Sequence, residues 1–276
     1  MKKFAGRVGV ITGAGGGIGG ALATELAARG CHLALVDLDK KSLKKIADSL
    51  AGSGVTVTTH QADVTDRKRM KKLPDEIVAA HGGVNLLINN AGITLQKSFM
   101  THSLADWDRI VGINLWGVIY GCHFFKPVLD QADEAHIVNL SSMAGFIGLP
   151  AQSSYCATKA AVRAFSESLW AEFGAQGIGV TTVAPGAIKT DMIMATLDES
   201  DDPEIAKKNF EMVQKIGTDA DKAARIILQA VEQNKRQVRV GKDAVLLDLL
   251  KRFCPALIHH LFSKVAKKQF NAALRH

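Results

Sequence analysis

The sequence predicts an α/β protein with one doubly wound parallel sheet of about seven strands, helices on both faces and a C-terminal helical extension. Short β-branched, apolar runs alternate with longer helical stretches along the 276 residues, as they do in successive strand–helix–strand units. A cluster of glycines directly follows the first run, which indicates a strand–turn–helix junction. No linker-like stretch or internal repeat divides the chain. We therefore expect one domain over residues 1–241 and the extension over residues 242–276.

Strands and helices are predicted to alternate at regular spacing. Ser103 and Asp106 have the spacing of a capping box, which marks the start of a long helix. The predicted strands are residues 7–12, 32–36, 55–60, 84–88, 135–140, 178–183 and 237–240. The predicted helices run to Gly30, over 40–50, over 67–81, through Asn114 to Leu129, and through Tyr155 to Phe173.

The composition excludes several functional classes. Hydrophobic residues make up 47% of the chain, and no apolar run approaches the roughly 18 residues that a membrane span requires. The N-terminus lacks the apolar core of a signal peptide, and the four cysteines have no zinc-ligand spacing. Of the net charge of +7, residues 242–276 carry +5 (seven Lys/Arg, two acids), which leaves +2 for the body. We expect a cytoplasmic protein without a metal site or a nucleic-acid partner.

The glycine cluster predicts a dinucleotide-binding turn. Without side chains the backbone can approach a pyrophosphate, and the free N–H groups at the helix start attract its charge. A literal G-x-G-x-x-G occurs at Gly15, Gly17 and Gly20, but its first glycine comes late relative to the strand end. The alternative frame, Gly13, Gly17 and Gly19, starts directly at the strand end.

An acid at the end of the second predicted strand indicates NAD as the cofactor. Asp37 lies about 20 residues after the glycines, where a carboxylate binds the ribose 2′-hydroxyl. Its charge would repel the 2′-phosphate of NADP, and the next residue, Leu38, is not a cation. The structural alternative is that Asp37 only caps the helix that begins near Lys40.

A tyrosine and a lysine one helical turn apart are the candidate catalytic pair. Tyr155 and Lys159 leave the same face of the predicted helix. An ammonium beside a phenol favours the phenolate, so Tyr155 is expected to exchange protons near neutral pH. The spacing alone also occurs on many solvated helices, so its meaning depends on the surrounding motifs.

The motifs together resemble the short-chain dehydrogenase/reductase family over about residues 5–241. Residues 12–19 have the T-G-x-x-x-G-I-G pattern, which selects the frame that starts at Gly13. Residues 89–92 are N-N-A-G, and residues 185–190 fit P-G-x-x-x-T. Ser142 precedes Tyr155 by thirteen residues, which is the family spacing. The resemblance implies a Rossmann-type sheet and hydride transfer with a nicotinamide cofactor.

Residue roles follow from the resemblance. Tyr155 is expected to exchange the alcohol proton, and Ser142 to hold the substrate oxygen. Lys159 is expected to favour the phenolate, and Asn114 to position a water that links the lysine to solvent. Asp63 and Val64 are expected at the adenine, and Asn89 with its neighbours on the adenosine side. The full cofactor set is Gly13, Gly17, Ile18, Gly19, Asp37, Asp63, Val64, Asn89, Asn90, Ala91, Gly92, Tyr155, Lys159, Pro185, Gly186, Ile188 and Thr190.

An apolar substrate pocket is expected around Ser142, Met143, Tyr155 and Met192. Such a lining suits a bulky apolar alcohol or ketone, although packing in the core or under a lid would require the same residue types. The acidic residues 198–202 are expected to be part of a solvated lid and not a metal site. The apolar residues of this region are Met143, Phe146, Ile147, Leu149, Met192, Ile193, Met194 and Leu197.

The basic extension is predicted to form two helices separated by Pro255, over residues 244–253 and 256–273. Its leucines and phenylalanines alternate with cations. Three alternatives stay open: packing over the pocket or on a partner subunit, lying on an anionic membrane surface, or loose order.

The sequence therefore predicts an NAD(H)-dependent oxidoreductase that interconverts a secondary alcohol and a ketone or aldehyde. The alternatives are an NADPH-dependent 3-oxoacyl thioester reductase, which Asp37 disfavours, and a non-catalytic cofactor-binding regulatory protein. By analogy with the family, a homodimer or homotetramer is expected, paired through the helices that bear Asn114 and Tyr155.

Overall fold

The computed structural model describes residues 1–273, which are built around a seven-stranded sheet. All neighbouring strands of this sheet are parallel. Its strands are β1 (Val8–Thr12), β2 (His32–Asp37), β3 (Val57–Gln61), β4 (Leu86–Asn89), β5 (Ala135–Leu140), β6 (Ile178–Pro185) and β9 (Gln237–Val240). Their order across the sheet is β3-β2-β1-β4-β5-β6-β9. The short strands β7 (Ile188–Lys189) and β8 (Thr218–Asp219) pair separately.

Helices connect the strands and cover both faces of the sheet. They are α1 (Gly17–Ala28), α2 (Lys40–Ser49), α3 (Arg67–His81), α4 (Leu104–Val111), α5 (Gly117–Leu129), α6 (Ser153–Gly174), α7 (Pro203–Ile216), α8 (Ala220–Glu232), α9 (Lys242–Phe253) and α10 (Pro255–Ala273). The doubly wound parallel sheet that the sequence predicts is therefore confirmed.

Two hydrophobic cores lie on opposite faces of the sheet because successive strand residues point to opposite sides. Ile11 packs with α1 and α8, where Leu26 is fully buried. Its neighbour Val10 packs with α3, α5 and α6, where Phe125 is fully buried. Each such burial contributes about 1.5–3 kcal/mol, so the strands and their covering helices stabilise each other.

The position of the site follows from the strand order. The chain runs outward from β1 to β3 and then returns to β4, which pairs with β1 on its other side. The segments that leave β1 and β4 therefore diverge and open a crevice at the carboxyl ends of the strands. Thr12 ends β1 and Asn90 follows β4 at this crevice.

The predicted strand and helix boundaries differ from the observed ones by at most two residues, apart from one interrupted helix. Residues Gly112–Trp116 form a π-helical turn between α4 and α5, where the sequence predicts one continuous helix. Such a turn has hydrogen bonds between residues five apart instead of four, so it contains one residue more than an α-helical turn. The Asn114 side chain bonds outside the helix, to Ile93, and a side chain at Gly117 would crowd Val64.

The C-terminal extension forms the two predicted helices, α9 and α10. Helix α9 packs against β9, where the buried Asp248 carboxylate forms ion pairs with Arg239 at 2.5 Å and Arg252 at 3.1 Å. Helix α10 packs on α9. Within residues 1–273, none of the helices is both long and apolar enough to cross a membrane.

Candidate active site

The turn after β1 has the geometry of a pyrophosphate cradle. Gly13 and Gly17 have φ angles of +66° and +54°, which side-chain-bearing residues rarely adopt. A Cβ at Gly19 would overlap the Gly13 carbonyl oxygen, so Gly19 lets α1 start close against the turn. No side chain caps the start of α1, which leaves its first N–H groups facing the crevice.

Thr12 and Asn90 fasten this turn to the segment after β4. The Thr12 hydroxyl accepts hydrogen bonds from the N–H groups of Asn90 at 3.0 Å and Ala91 at 3.1 Å. In return the Asn90 amide donates to the carbonyls of Thr12 and Gly13. Four hydrogen bonds therefore join the two loops at the carboxyl ends of β1 and β4.

Asp37 lies in a groove of about 450 Å³ that runs along these loops. One carboxylate oxygen accepts a hydrogen bond from Gly15 N at 2.8 Å, the other from Asp39 N at 3.0 Å. Asp39 is the residue that caps α2, through Lys41 N, so the helix-capping alternative for Asp37 is not what the structure shows. Leu38 is 62% exposed and lies on the groove rim.

The rest of the groove is lined by most of the predicted cofactor residues. No lysine or arginine belongs to its lining within the described part of the chain. The lining includes Gly13, Gly17, Ile18, Asp37, Asp63, Val64, Asn90, Ala91, Gly92 and Thr190.

Asn89 is an exception and requires a correction. Its side chain is buried and donates to Asn139 Oδ1 at 2.8 Å and Cys122 Sγ at 3.3 Å. Strand alternation places Asn89 on the same face as Leu87, toward α5. Asn89 is therefore part of a polar cluster inside the core, and Asn90 is the asparagine that faces the turn.

Lys159 is buried, and no carboxylate of the described residues contributes to its pKa. Its ammonium donates to the Leu140 carbonyl at 2.9 Å, and it lies 5.7 Å from the centre of the Tyr155 ring. Burial lowers the pKa of Lys159 to about 8, because the charged form loses water and gains only a carbonyl.

Tyr155 differs from the expectation of a phenol that ionises near neutral pH. Burial raises the pKa of its hydroxyl above the usual value, and a hydrogen bond with Ser142 opposes that effect. Although the Lys159 ammonium lies 5.7 Å from the ring centre, burial has the largest effect on the pKa of the hydroxyl. Ser142 lies two residues after the end of β5 and accepts a hydrogen bond from Ala144 N at 3.2 Å, which fixes its hydroxyl beside Tyr155.

Asn114 is fully buried in the π-helical turn. Its Oδ1 accepts from Ile93 N and its Nδ2 donates to Ile93 O, both at 2.9 Å. The neighbouring Gly92 is so close that a Cβ there would lie 3.3 Å from Lys159 Nζ. The Asn114 side chain thus holds the loop after β4 beside the lysine.

The loop after β6 closes the inner end of the crevice. The Gly186 N–H donates to Val240 O, and the Ala187 carbonyl accepts from Thr218 N, both at 2.8 Å. The Ala187 N–H donates to Asp243 Oδ2 at 2.6 Å. Sequence reasoning missed Asp243, since nothing in the pattern distinguishes it from an ordinary acid in the first turn of a helix.

Ser142, Tyr155 and Lys159 line a cavity of about 240 Å³ that adjoins the cofactor groove. Among the predicted pocket residues, Phe146 lies outside it, and its ring centre is 5.0 Å from the guanidinium carbon of Arg163 and 6.0 Å from that of Arg239. Ile147, Met194 and Leu197 are also outside the lining. The apolar side chains that line the cavity include Ile18, Met143, Leu149, Met192, Ile193 and Val213.

The acidic lid segment is bonded to the loop before α4. Asp201 Oδ2 accepts hydrogen bonds from Ser98 N at 2.6 Å and Thr101 Oγ1 at 2.7 Å. Glu199 pairs with Arg109 at 2.9 Å. Asp198, Asp201 and Asp202 are exposed, as the sequence predicts, and two acids of the segment, Glu199 and Asp201, also bond it to the region of residues 98–109.

The comparisons with known proteins agree with this architecture. Residues 7–201 match the family described as short chain dehydrogenase. The Mycobacterium tuberculosis oxidoreductase SadH is 35% identical over 273 residues, which cover 98% of this chain and 99% of SadH. A short chain dehydrogenase/reductase from Burkholderia phymatum, in complex with NAD, superposes with a TM-score of 0.84 at 28% identity, over 93% of this chain and 96% of that chain. Levodione reductase superposes with a TM-score of 0.79 at 28% identity, over 89% of this chain and 99% of that chain.

Proposed function

The chain belongs to the short-chain dehydrogenase/reductase family, and from this premise we propose that it is an NAD(H)-dependent enzyme that interconverts a secondary alcohol and a ketone or aldehyde. The observation that supports this most directly is the cavity shared by Ser142, Tyr155 and Lys159, which adjoins the cofactor groove. A substrate carbinol in that cavity would lie between the hydroxyl groups of Ser142 and Tyr155 and the groove proposed to hold the cofactor.

The groove residues fit a nicotinamide dinucleotide. The positive φ angles of Gly13 and Gly17 shape the turn, and a Cβ at Gly16 would meet no protein atom within 4 Å, so the backbone there is open to a ligand. The uncapped start of α1 suits a pyrophosphate. When bound, NAD would supply the hydride acceptor, held by the glycine turn, by Asp37 at the ribose and by residues 185–190 at the nicotinamide.

We propose NAD over NADP because of the charge at the ribose end of the groove. One carboxylate oxygen of Asp37 accepts a hydrogen bond from Gly15 N in the glycine turn and the other from Asp39 N, and the exposed Leu38 offers no cation for a 2′-phosphate. The absence of Lys and Arg from the described groove lining also disfavours the NADPH-dependent 3-oxoacyl thioester reductase.

Tyr155 is the proposed general acid and base. In oxidation its phenolate takes the proton of the substrate hydroxyl, and in reduction its phenol returns a proton to the alkoxide. Ser142 donates a hydrogen bond to the substrate oxygen and keeps it within reach of Tyr155. Burial raises the pKa of Tyr155, so ionisation requires the positive charges of Lys159 and of the oxidised nicotinamide ring nearby.

Asn114 positions the loop beside Lys159 in this proposal. Its amide atoms are bonded to Ile93, so the side chain contributes by fixing Gly92 and Ile93. A water that connects the lysine with solvent would therefore be held by other groups of this turn and loop.

The cavity suits a bulky apolar carbinol or ketone. Its walls are the apolar side chains around Met143 and Met192, and its polar groups other than the catalytic set include Gln152 and Thr94. Apolar walls with a few polar groups favour a substrate that has one reacting oxygen and a large hydrocarbon part.

The test is the appearance of NADH absorbance when the protein is mixed with NAD and a panel of secondary alcohols. We expect turnover with bulky apolar carbinols and little with NADP in place of NAD. If NAD binds but none of the panel is oxidised and no matching ketone is reduced, the non-catalytic regulatory alternative is favoured. A clear preference for NADP would contradict the cofactor assignment.

A further inference from the structure

The C-terminal helices carry an exposed surface that the proposed reaction does not use. Helix α9 exposes Leu246 (57%), Leu249 (46%) and Phe253 (79%), and α10 exposes Leu257 and Leu261. These side chains recur at helical spacing, so each helix presents its apolar residues on one side. We call the exposed sides of α9 and α10 the tail face.

Cations lie among these apolar side chains. On α9 the exposed Lys242 lies four residues before Leu246 and seven before Leu249, so it shares their side of the helix. The exposed Arg252 follows Leu249 by three residues. On α10 the exposed Lys264 follows Leu261 by three residues and lies on the same arc.

The acids of the extension point away from the tail face. Asp243 accepts the hydrogen bond from Ala187 N. Asp248 is buried and pairs with both Arg239 and Arg252, so Lys242 and Lys264 are the cations of the tail face that these two acids do not pair with. Asp243 and Asp248 are the only two acids between residues 242 and 276, so inward bonding leaves the exposed charge positive.

A groove of about 440 Å³ opens between α8 and α9 beside the tail face. Its apolar lining includes Ile226, Leu246 and Leu249, and its lining also includes Lys222 and Lys242. Apolar area next to ammonium groups is complementary to acyl chains below anionic headgroups.

We propose that the tail face docks this protein on the surface of an anionic lipid bilayer. The apolar side chains enter the headgroup boundary, and the surrounding cations are attracted to lipid phosphates. A two-fold contact between copies would place like patches against each other. The cations of the two copies would then repel, which disfavours a second copy as the occupant.

The test is co-sedimentation of the full chain with phosphatidylcholine vesicles that contain or lack phosphatidylglycerol. We expect sedimentation with the anionic vesicles, release by added salt, and little binding to phosphatidylcholine alone. Equal binding to both vesicles, or binding to neither, overturns the proposal.

An apolar variant locates the contact. Replacing Leu246, Leu249 and Phe253 by serine is expected to lower the vesicle-bound fraction on the order of tenfold. The matched control replaces the exposed residues 99, 100 and 104 by serine, and it should bind as the wild type does. Equal losses in the two variants contradict the proposal.

A charge variant keeps the test valid if the apolar variant misfolds. Lys242→Glu with Lys264→Glu should weaken binding to anionic vesicles by about tenfold or more. Lys40→Glu with Lys41→Glu changes the net charge equally on α2 and should have a smaller effect. If wild type binds no vesicles and the serine variant instead dissociates an oligomer, the tail face belongs to a second copy and the membrane proposal is wrong.

Discussion

The Asp243 carboxylate accepts a hydrogen bond from the Ala187 backbone N–H at 2.6 Å, which ties the first turn of α9 to the loop at the inner end of the active-site crevice. A Cβ at Gly186 would overlap this carboxylate. The loop proposed to contact the nicotinamide is therefore positioned by a residue of the C-terminal extension.

Asp243→Ala is expected to weaken NADH binding on the order of tenfold, because a charge-assisted hydrogen bond contributes about 1.5–3 kcal/mol. ADP-ribose, which lacks the nicotinamide, should bind as tightly as it does to the wild type. Asp243→Asn keeps an acceptor oxygen and should largely restore NADH binding. Asp221→Ala, which removes an acid from the first turn of α8, is the control. Equal weakening of NADH and ADP-ribose would contradict this positioning role.

Asp37 is predicted to set the cofactor preference. Asp37→Ser with Leu38→Arg should lower affinity for NADH by roughly tenfold to a hundredfold and raise affinity for NADPH, since the repelling carboxylate is replaced by a phosphate partner. The measurement is the ratio of the two dissociation constants. Asp39→Ser keeps a capping side chain on α2 and should leave the ratio unchanged. An unchanged ratio in the double variant would exclude Asp37 as its determinant.

Asp201 is predicted to hold the lid closed through Ser98 and Thr101. Asp201→Ala should raise KM for an apolar carbinol by about tenfold while NADH binding stays unchanged, because the lid then opens more often. Protease cleavage within residues 191–216 should be faster in this variant. Asp198→Ala, in the same acidic stretch, is the control. Wild-type KM and cleavage rates in Asp201→Ala would show that the latch has no effect.

His136 is predicted to make the fold sensitive to acid. Burial, assisted by the charge of the N-terminus, lowers its pKa to about 3, whereas the unfolded chain has a value of about 6.5. Between these two pKa values the unfolded chain binds a proton that the folded protein does not. The stabilisation of the folded state by neutral His136 is therefore fully present above pH 6.5 and is lost as the pH falls. The contribution of this residue is about 1.4 kcal/mol per pH unit.

The slope of unfolding free energy against pH between about 6.5 and 4 measures this effect. In His136→Gln the unfolding free energy should fall less steeply with decreasing pH than in the wild type. The difference in slope should correspond to about one proton, whatever the stability of the variant at neutral pH. Identical slopes would show that His136 does not titrate differently in the folded protein. The neutral ring is bonded to Thr181 Oγ1 at 2.8 Å.

The sequence predicts most elements because local patterns determine them, but it predicts none between residues 183 and 237, where α7 and α8 lie. Each strand combines β-branched residues with a following turn, and the capping box at Ser103 and Asp106 is formed in the structure. The π-helical turn was not predictable, because it depends on Asn114 bonding to Ile93, 21 residues earlier.

The site residues that lie just after the ends of strands could be predicted from the sequence. The glycine turn, Asp37, Ser142 and the pair on α6 are brought to one crevice by the parallel topology. The sequence does not show which face of the sheet the Asn89 side chain points to, because two consecutive asparagines point to opposite faces and either could face the crevice. The contacts of Asp201 and Asp243 join residues 56 to 103 positions apart, and no local pattern indicates them. The homodimer or homotetramer stays a prediction.

The central claim is that Tyr155 transfers the substrate proton at a nicotinamide site. The most direct measurement is turnover and NADH affinity of Tyr155→Phe, compared with the wild type on the same carbinol. The account predicts that turnover falls by about 10²–10⁴-fold while NADH binds with nearly unchanged affinity. A variant that turns over at the wild-type rate would contradict the account and remove Tyr155 from the mechanism.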